Sequence, residues 1–480
     1  MRFSGWSFLL HGVAAVLSVG CGMLLAANAQ TFTSLAILNG TDGATPGYGS
    51  MAQATNGTYY GATLYGGKYA EGTIFQITPD GTLTDLYSFC SFYNCADGAI
   101  PYGPILGSDG NLYGVTFGGG SANEYGTVYK LTLGGEITKL YTFCPAQPCS
   151  DGEGPVGLVQ AGNGNFYGVT TAGGTFGYGT LFELTSTGKF RLLHTFCSEQ
   201  NCTDGGAPVS SPIQARNGNL YGTIEFGGSH GEGVVYEITL GGSYRVLYNF
   251  CSQANCADGS DPFSGLVQDA AGNLYGTTVE GGNLAAGVVF QITPKNEYSV
   301  LHNFDGIHGG SPVAALTLAN DGDLYGTTIV FNDEFGDGNI FKVTPEGKYT
   351  SFYGFCSTGY CTTGNWPLTT LLQATNGTLY GATGFGGTDD DGAIFSLSNN
   401  LSPLVETVPT MGKIGTRVII LGDGLTGSSA VTFNGVAAAF SVESDTYISA
   451  TVPEGATTGT VSVATPTGTL NSNPQFAVTK

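Results

Sequence analysis

The chain has 480 residues, of which 79 are glycine, and sets 36 Asp and Glu against 14 Lys and Arg for a formal net charge of −22. Glycine at more than twice the usual ~7%, charged residues at 10% where ~25% is ordinary, and aromatics at 12% exclude a disordered chain and argue against an α-rich fold. Glycine without a Gly-X-Y period excludes collagen, and so acidic a chain repels nucleic acid and anionic membrane surfaces.

Residues 1–29 carry one charge, Arg2, then an apolar run from Phe8 to Ala26, and end in the small-x-small sequence Ala27-Asn28-Ala29. This reads as a secretory signal peptide cut after Ala29, with a retained membrane anchor as the competing reading. A lipoprotein would need Cys21, whose upstream Ser18-Val19-Gly20 lacks a branched apolar residue at the third place back. No later stretch is long and apolar enough to span a bilayer. The mature chain is therefore expected to have no membrane span and to be secreted, cell-surface or periplasmic, in an oxidising compartment.

From residue 30 the chain repeats. Tyr-Gly recurs at Tyr60, Tyr113, Tyr167, Tyr221, Tyr275, Tyr325 and Tyr380, at intervals of 50 to 55 residues. Each unit runs in one order: a Pro-led apolar stretch, a Gly/Asn/Asp turn, the Tyr-Gly strand, often a Gly-Gly pair, an alternating strand, a tight turn and a last strand. Four short strands per unit, seven times over, predict a seven-bladed β-propeller across 30–398 rather than a β-solenoid, whose coils are shorter. The stretch 32–38 aligns with a fourth strand, and the last unit stops after its third, 393–397. The N-terminal strand is thus expected to complete the last blade, removing two open edges. In an up-down blade the Gly-Gly loops and the long between-blade loops share one face, opposite the tight turns.

Ten of the eleven cysteines form five C-x4-C pairs: Cys90 with Cys95, Cys144 with Cys149, Cys197 with Cys202, Cys251 with Cys256, and Cys356 with Cys361. Two units lack both members, which is what local disulfides predict in an oxidising compartment. Zinc would need four ligands, and these loops carry two thiols and no companion His.

After Ser398 the texture changes to short Val/Ile/Thr strands, at 416–422, 430–435, 447–453 and 459–464, which suit a small immunoglobulin-like β-sandwich over 403–480. The expected fold is all-β, a propeller followed by a sandwich. Residues Pro409, Gly415-Thr416, Gly422-Asp423-Gly424, Phe433-Asn434-Gly435, Val452-Pro453-Glu454-Gly455 and Phe476-Ala477-Val478 resemble an IPT/TIG domain. The units, as in Asn273-Leu274-Tyr275-Gly276-Thr277-Thr278 and Gly287-Val288-Val289-Phe290-Gln291-Ile292-Thr293-Pro294, resemble the GloVer-type tandem repeats of secreted bacterial proteins. Neither resemblance implies an established catalytic activity. The IPT/TIG likeness implies spacing or protein contact.

Residues that break the repeat are the candidates for function. Glu225 and Glu280 fall near the Gly-Gly pairs of neighbouring units, where paired carboxylates serve acid–base work on a glycosidic bond, a cation, or only water. Asp333, Glu334 and Asp337, and Asp389, Asp390 and Asp391, lie in equivalent loops of the last two units. They offer hard oxygen ligands of the kind Ca²⁺ takes, without EF-hand spacing. Trp366 stands beside Pro367 in a between-blade loop, as a sugar platform or a core anchor. His194 and His302 occupy the place of Tyr87, Tyr141, Tyr248 and Tyr353 and read as packing substitutes. There is no G-x-S-x-G, H-E-x-x-H or phosphate-binding loop. The reading is a non-enzymatic binding or surface-interaction protein whose loop face recognises an extracellular glycan or protein. The alternative is a carbohydrate-active propeller enzyme, a polysaccharide lyase or hydrolase.

Overall fold

The computed structural model describes residues 30–120, 125–332, 334–356 and 361–479, so the expected signal peptide lies outside the described residues. Seven antiparallel sheets follow one another along the chain, each ordered from an inner strand to an outer one. The fifth sheet is typical: Val267–Gln268, Leu274–Thr278, Val288–Ile292 and Tyr298–Asn303. Among the described residues the only helical turns are three 3₁₀ segments in disulfide loops.

The Tyr-Gly dipeptide has a packing cause. A Cβ on Gly276 would lie 2.6 Å from the Phe290 ring, and one on Gly222 would lie 2.5 Å from the Tyr236 hydroxyl, so only glycine lets the next strand's aromatic cross it. The tyrosine is buried between sheets, and its hydroxyl reaches a turn residue: Tyr113 donates to Asp109 at 2.9 Å, while Tyr167 accepts from Asn163 at 2.8 Å. The last residue before each between-sheet loop is fully buried, as at Phe89, Phe143, Phe196, Phe250 and Phe355.

Neighbouring sheets are joined by a repeated bond. A glutamine at the end of the inner strand accepts an amide from the turn of the preceding sheet: Gln160 from Ser108, Gln214 from Gly162, Gln268 from Arg216 and Gln373 from Asn320. Gln53 of the first sheet accepts the Thr375 amide of the seventh at 2.9 Å in the same way. The N-terminal strand Thr31–Ile37 is the outer strand of the seventh sheet, in register from Thr31 opposite Ser398 to Ile37 opposite Ala393. The first and seventh sheets also share a core of Met51, Tyr59, Phe75, Ile77, Ala374, Tyr380, Ala382 and Ile394.

Each of the five C-x4-C pairs is bridged within its own loop. Cys90 is bonded to Cys95 and Cys144 to Cys149. Cys197 is bonded to Cys202, Cys251 to Cys256, and Cys356 to Cys361, so no bridge runs between sheets among the described residues. The second cysteine of a loop also serves through its backbone: the carbonyls of Cys95, Cys149, Cys202 and Cys256 accept amides from Gly120, Gly174, Gly228 and Gly282, the second glycine of the adjoining Gly-Gly pair, at 2.7 to 2.9 Å. A further tie went unread in the sequence. The buried Asp that follows each of two such loops accepts from a tyrosine on the fourth strand: Asp97 from Tyr87 at 2.7 Å and Asp258 from Tyr248 at 2.6 Å. His194 and His302 stack on Tyr244 and Tyr349 at 4.1 and 4.3 Å, as Tyr248 stacks on Tyr298 at 3.9 Å, so they do fill the tyrosine place.

The C-terminal sandwich packs a sheet containing Arg417–Leu421 and Tyr447–Thr451 against one containing Ala430–Phe433 and Val461–Thr465, around Val418, Ile420, Phe433, Ile448, Val461 and Phe476. It is seated on the tight-turn face. Alternation explains the contact. Val418 and Ile420 face the sandwich core, while Ile419 and Leu421 pack into a cluster with Ala54, Tyr60, Leu106, Leu112 and Tyr129 of the first two sheets. Thr446 donates to the Thr55 carbonyl at 2.7 Å, and Thr375 donates to the Asp423 carboxylate at 2.7 Å.

Candidate functional site at the mouth of the central cavity

The inner segments of all seven sheets line one cavity of about 430 Å³. Each unit enters its inner segment through the same four residues, Gly-x-X-Pro, shortly before the residues that line the cavity, where X is Thr45, Ile100, Gly154, Ala207, Asp261, Ser311 or Trp366. All seven X residues have left-handed backbone, with φ between 48° and 63°. Six of them are not glycine, and such a conformation costs an L residue roughly 1–2 kcal/mol. The proline after X disfavours the right-handed helical region but itself favours extended backbone, so what holds X at positive φ is a hydrogen bond to the preceding unit. Thus Asp261 donates its amide to the Glu232 carbonyl at 3.2 Å, Ala207 to Tyr178 at 2.7 Å and Thr45 to Asp391 at 2.9 Å. The backbone is constant and the side chain varies, on the loop face of the propeller. Among the seven, only Asp261 is charged and only Trp366 is large and aromatic.

Residues far apart in the chain meet at this mouth. The Tyr48 ring of the first sheet lies 5.4 Å from Phe263 of the fifth and 6.2 Å from Tyr102 of the second, and Tyr102 lies 6.3 Å from Phe117. Glu225 is half-buried, and its carboxyl is pushed up by burial. Burial and then the Glu225 charge raise the Tyr48 hydroxyl. Asp261 is pushed up to about 7, first by burial and then by Glu225, Glu280 and Glu232. Its Oδ1 is buried and has no hydrogen-bond partner among the described residues. An acidic group near neutrality, with an unsatisfied oxygen beside aromatic rings, can donate or accept a hydrogen bond to a ligand that also stacks.

Around the mouth the second-to-third-strand loops expose Tyr65, Phe117, Phe176, Tyr178 and Phe226, each between 38% and 49% exposed, with Tyr178 stacked on Phe226.

The structure places Glu225 and Glu280 one residue out of step, two and one before the Gly-Gly pair, so alternation points them to opposite sides of the strand. Glu280 is exposed, and its backbone bridges Ser260 beside Asp261. Trp366 is half-buried edge-on to Phe385 at 5.8 Å. Asp390 accepts the Gly386 amide at 2.8 Å, and Asp389 accepts from Thr388 at 3.1 Å. Asp333 lies outside the described residues, and Glu334 is placed by its backbone alone, opposite Phe331. Among the described residues the one group of three His, Cys, Asp or Glu close enough to share an ion is Asp337, Cys356 and Cys361, and its two cysteines are bonded to each other. Asp261, the residue on which the site turns, was missed in the sequence. The Gly-x-X-Pro pattern, with a single carboxylate at X, was the signal for it.

The model of the Gloeobacter/Verrucomicrobia repeat matches residues 11–211 and 198–395. The chain belongs to this repeat family. The IPT/TIG domain model matches residues 403–478 of the repeat protein. No curated protein matches it. Among solved structures it is similar to a streptogramin B lyase, at 14% identity over 77% of this chain and 97% of the lyase, with a TM-score of 0.49. It is also similar to PorZ, a bacterial surface component of the type-IX secretion system of Porphyromonas gingivalis, at 15% identity over 90% of this chain and 59% of that one, TM-score 0.47. A gluconolactonase of Xanthomonas campestris is similar at 11% identity over 77% and 90%, TM-score 0.40. No residue role passes from these structures to the repeat protein. Its five disulfides fit an oxidising extracellular or periplasmic location, and no helix among the described residues is long and apolar enough to cross a membrane.

Proposed function

We propose that this repeat protein is secreted and binds an extracellular glycan, without turning it over, at the cavity mouth on its loop face. In this reading residues 1–29 are removed, 30–398 form one closed seven-bladed ring and 403–480 are a separate sandwich. The observation that carries the proposal is Asp261, a carboxyl with one unpartnered oxygen, two residues from Phe263, whose ring meets Tyr48 across the mouth. A sugar presents an apolar face to rings and hydroxyls to carboxyl groups, and the exposed rings around the mouth extend such a platform outward. One observation favours the enzymatic reading: a carboxyl raised to about 7 beside a second carboxyl, Glu225, has the form of an acid–base pair. Retention of the mature chain on immobilised polysaccharides separates the two. The binding reading expects retention that falls at least about ten-fold in the Glu225→Gln, Asp261→Asn double variant, with no new reducing or unsaturated ends released. Release of such ends by the native chain and not by the double variant makes it an enzyme. Equal retention of both proteins removes the mouth as the site.

A further inference from the structure

The sandwich does more than sit on the propeller, because one of its strands floors the central cavity. In the strand Glu406–Val408 the side chains alternate. Val405 and Thr407 are fully buried, Val405 in the sandwich core, so Leu404, Glu406 and Val408 face the propeller. Glu406 lines both the 430 Å³ cavity and an adjoining one of about 350 Å³. It is half-buried. The walls around it are largely apolar, with Ile213, Leu266, Leu316, Leu371 and Met411 prominent. Its carboxyl has no hydrogen-bond or ion-pair partner among the described residues, and burial alone pushes it up to about 7. The one guanidinium in these walls is Arg216, which bonds Gln475 at 3.1 Å and is drawn toward Asp269.

A lone carboxyl in apolar walls is costly whether charged and unpaired or neutral and unbonded. A partner arriving from outside relieves that cost. The largely apolar lining disfavours hydrated Ca²⁺ or Mg²⁺ as that partner, since either keeps a shell of oxygen ligands to which a single carboxylate contributes here. An anion would meet a like charge. The smaller cavity borders an open crevice of about 900 Å³ between the propeller and the sandwich, with Arg216, Gln268, Leu318, Asn473, Pro474 and Gln475 shared between the two. The volumes lie at the lower end of the range for small-molecule sites.

We propose that the chamber between propeller and sandwich binds a small apolar amine, its ammonium paired with Glu406 and its hydrocarbon body against the inner strands. This site lies at the sandwich end of the central cavity, opposite the glycan mouth, and stands or falls without it.

Calorimetric titration of the mature chain at about pH 8, with benzylamine and with benzyl alcohol as probes, tests the proposal. The expected result is one benzylamine site, with the alcohol at least about ten-fold weaker, since each 1.4 kcal/mol is a factor of ten. Glu406→Gln should weaken benzylamine by a similar factor and leave the alcohol unchanged. Thr370→Phe, which narrows both cavities that Glu406 lines from the propeller wall and keeps Glu406, should weaken both probes. It keeps the test decisive if the Glu406 variant does not fold. Equal binding of amine and alcohol, no binding of either, or undiminished amine binding in a folded Glu406→Gln or Thr370→Phe variant overturns the proposal.

Discussion

At the scale of single residues, Asp261 ties stability to pH. Its carboxyl is raised from the ordinary 3.8 to about 7, with burial as the largest cause. A folded state that holds its proton more tightly than the unfolded chain is favoured at low pH. The contribution is fully present below the unfolded value and is lost as pH rises through the folded one. The native chain should therefore lose stability between about pH 4 and pH 8, and Asp261→Asn should remove a part of that loss on the order of 1 kcal/mol, discounted for partial exposure. Thermal melts at both ends of the window check this. A wild-type and variant difference that does not change with pH would contradict it. Glu225, raised by burial in the same mouth, acts in the same direction.

At the scale of elements, the N-terminal strand matters out of proportion to its length. Thr31–Ile37 covers the edge of Ala393–Ser398, and Phe32 stacks 3.7 Å from Tyr353 in the neighbouring sheet. Deleting residues 30–38 should leave a bare edge and unpack the seventh sheet from the sixth. Size-exclusion chromatography should then show association, and the melting temperature should fall; an unchanged monomer with an unchanged melt would mean that the pairing contributes little. This strand was legible in the sequence because its apolar spacing matched a fourth strand and the last unit was one strand short. So were the seven units, whose alternation and turns are local signals. The mouth was not legible. Tyr48, Tyr102 and Phe263 come from three different units and meet only because sheets encircle an axis, and no local period encodes that. Glu225 was singled out as a departure from the repeat, while Asp261 was passed over because its neighbours in the other units are so unlike one another that no pattern seemed to be broken.

At the scale of the whole molecule, the sandwich and the propeller share apolar surface. Ile419 is 3% exposed, and it packs with residues of the propeller rather than of its own core. Ile419→Ser should cost about 2–4 kcal/mol of docking while leaving the sandwich core of Val418 and Ile420 untouched. Calorimetry should then resolve two transitions where one joined transition is expected of the native chain, and X-ray scattering should show a longer particle. A single unshifted transition would mean that the polar bonds from Thr446 and Asp423 hold the seat alone. The position of the sandwich was not evident from its sequence, because each strand shows one apolar face to its own core and the outward-facing Ile419 and Leu421 are read equally well as surface residues.

The seven Gly-x-X-Pro positions bear on how such a protein diversifies. The residue at X is fixed by backbone that its own side chain does not build, so a change there rewrites the rim without asking the sheets to refold. Lineages, or an engineer with a mixed-codon library, can vary seven letters around one opening and keep the same scaffold. The toll is the small, nearly constant strain of a left-handed residue, already present at six of the seven places.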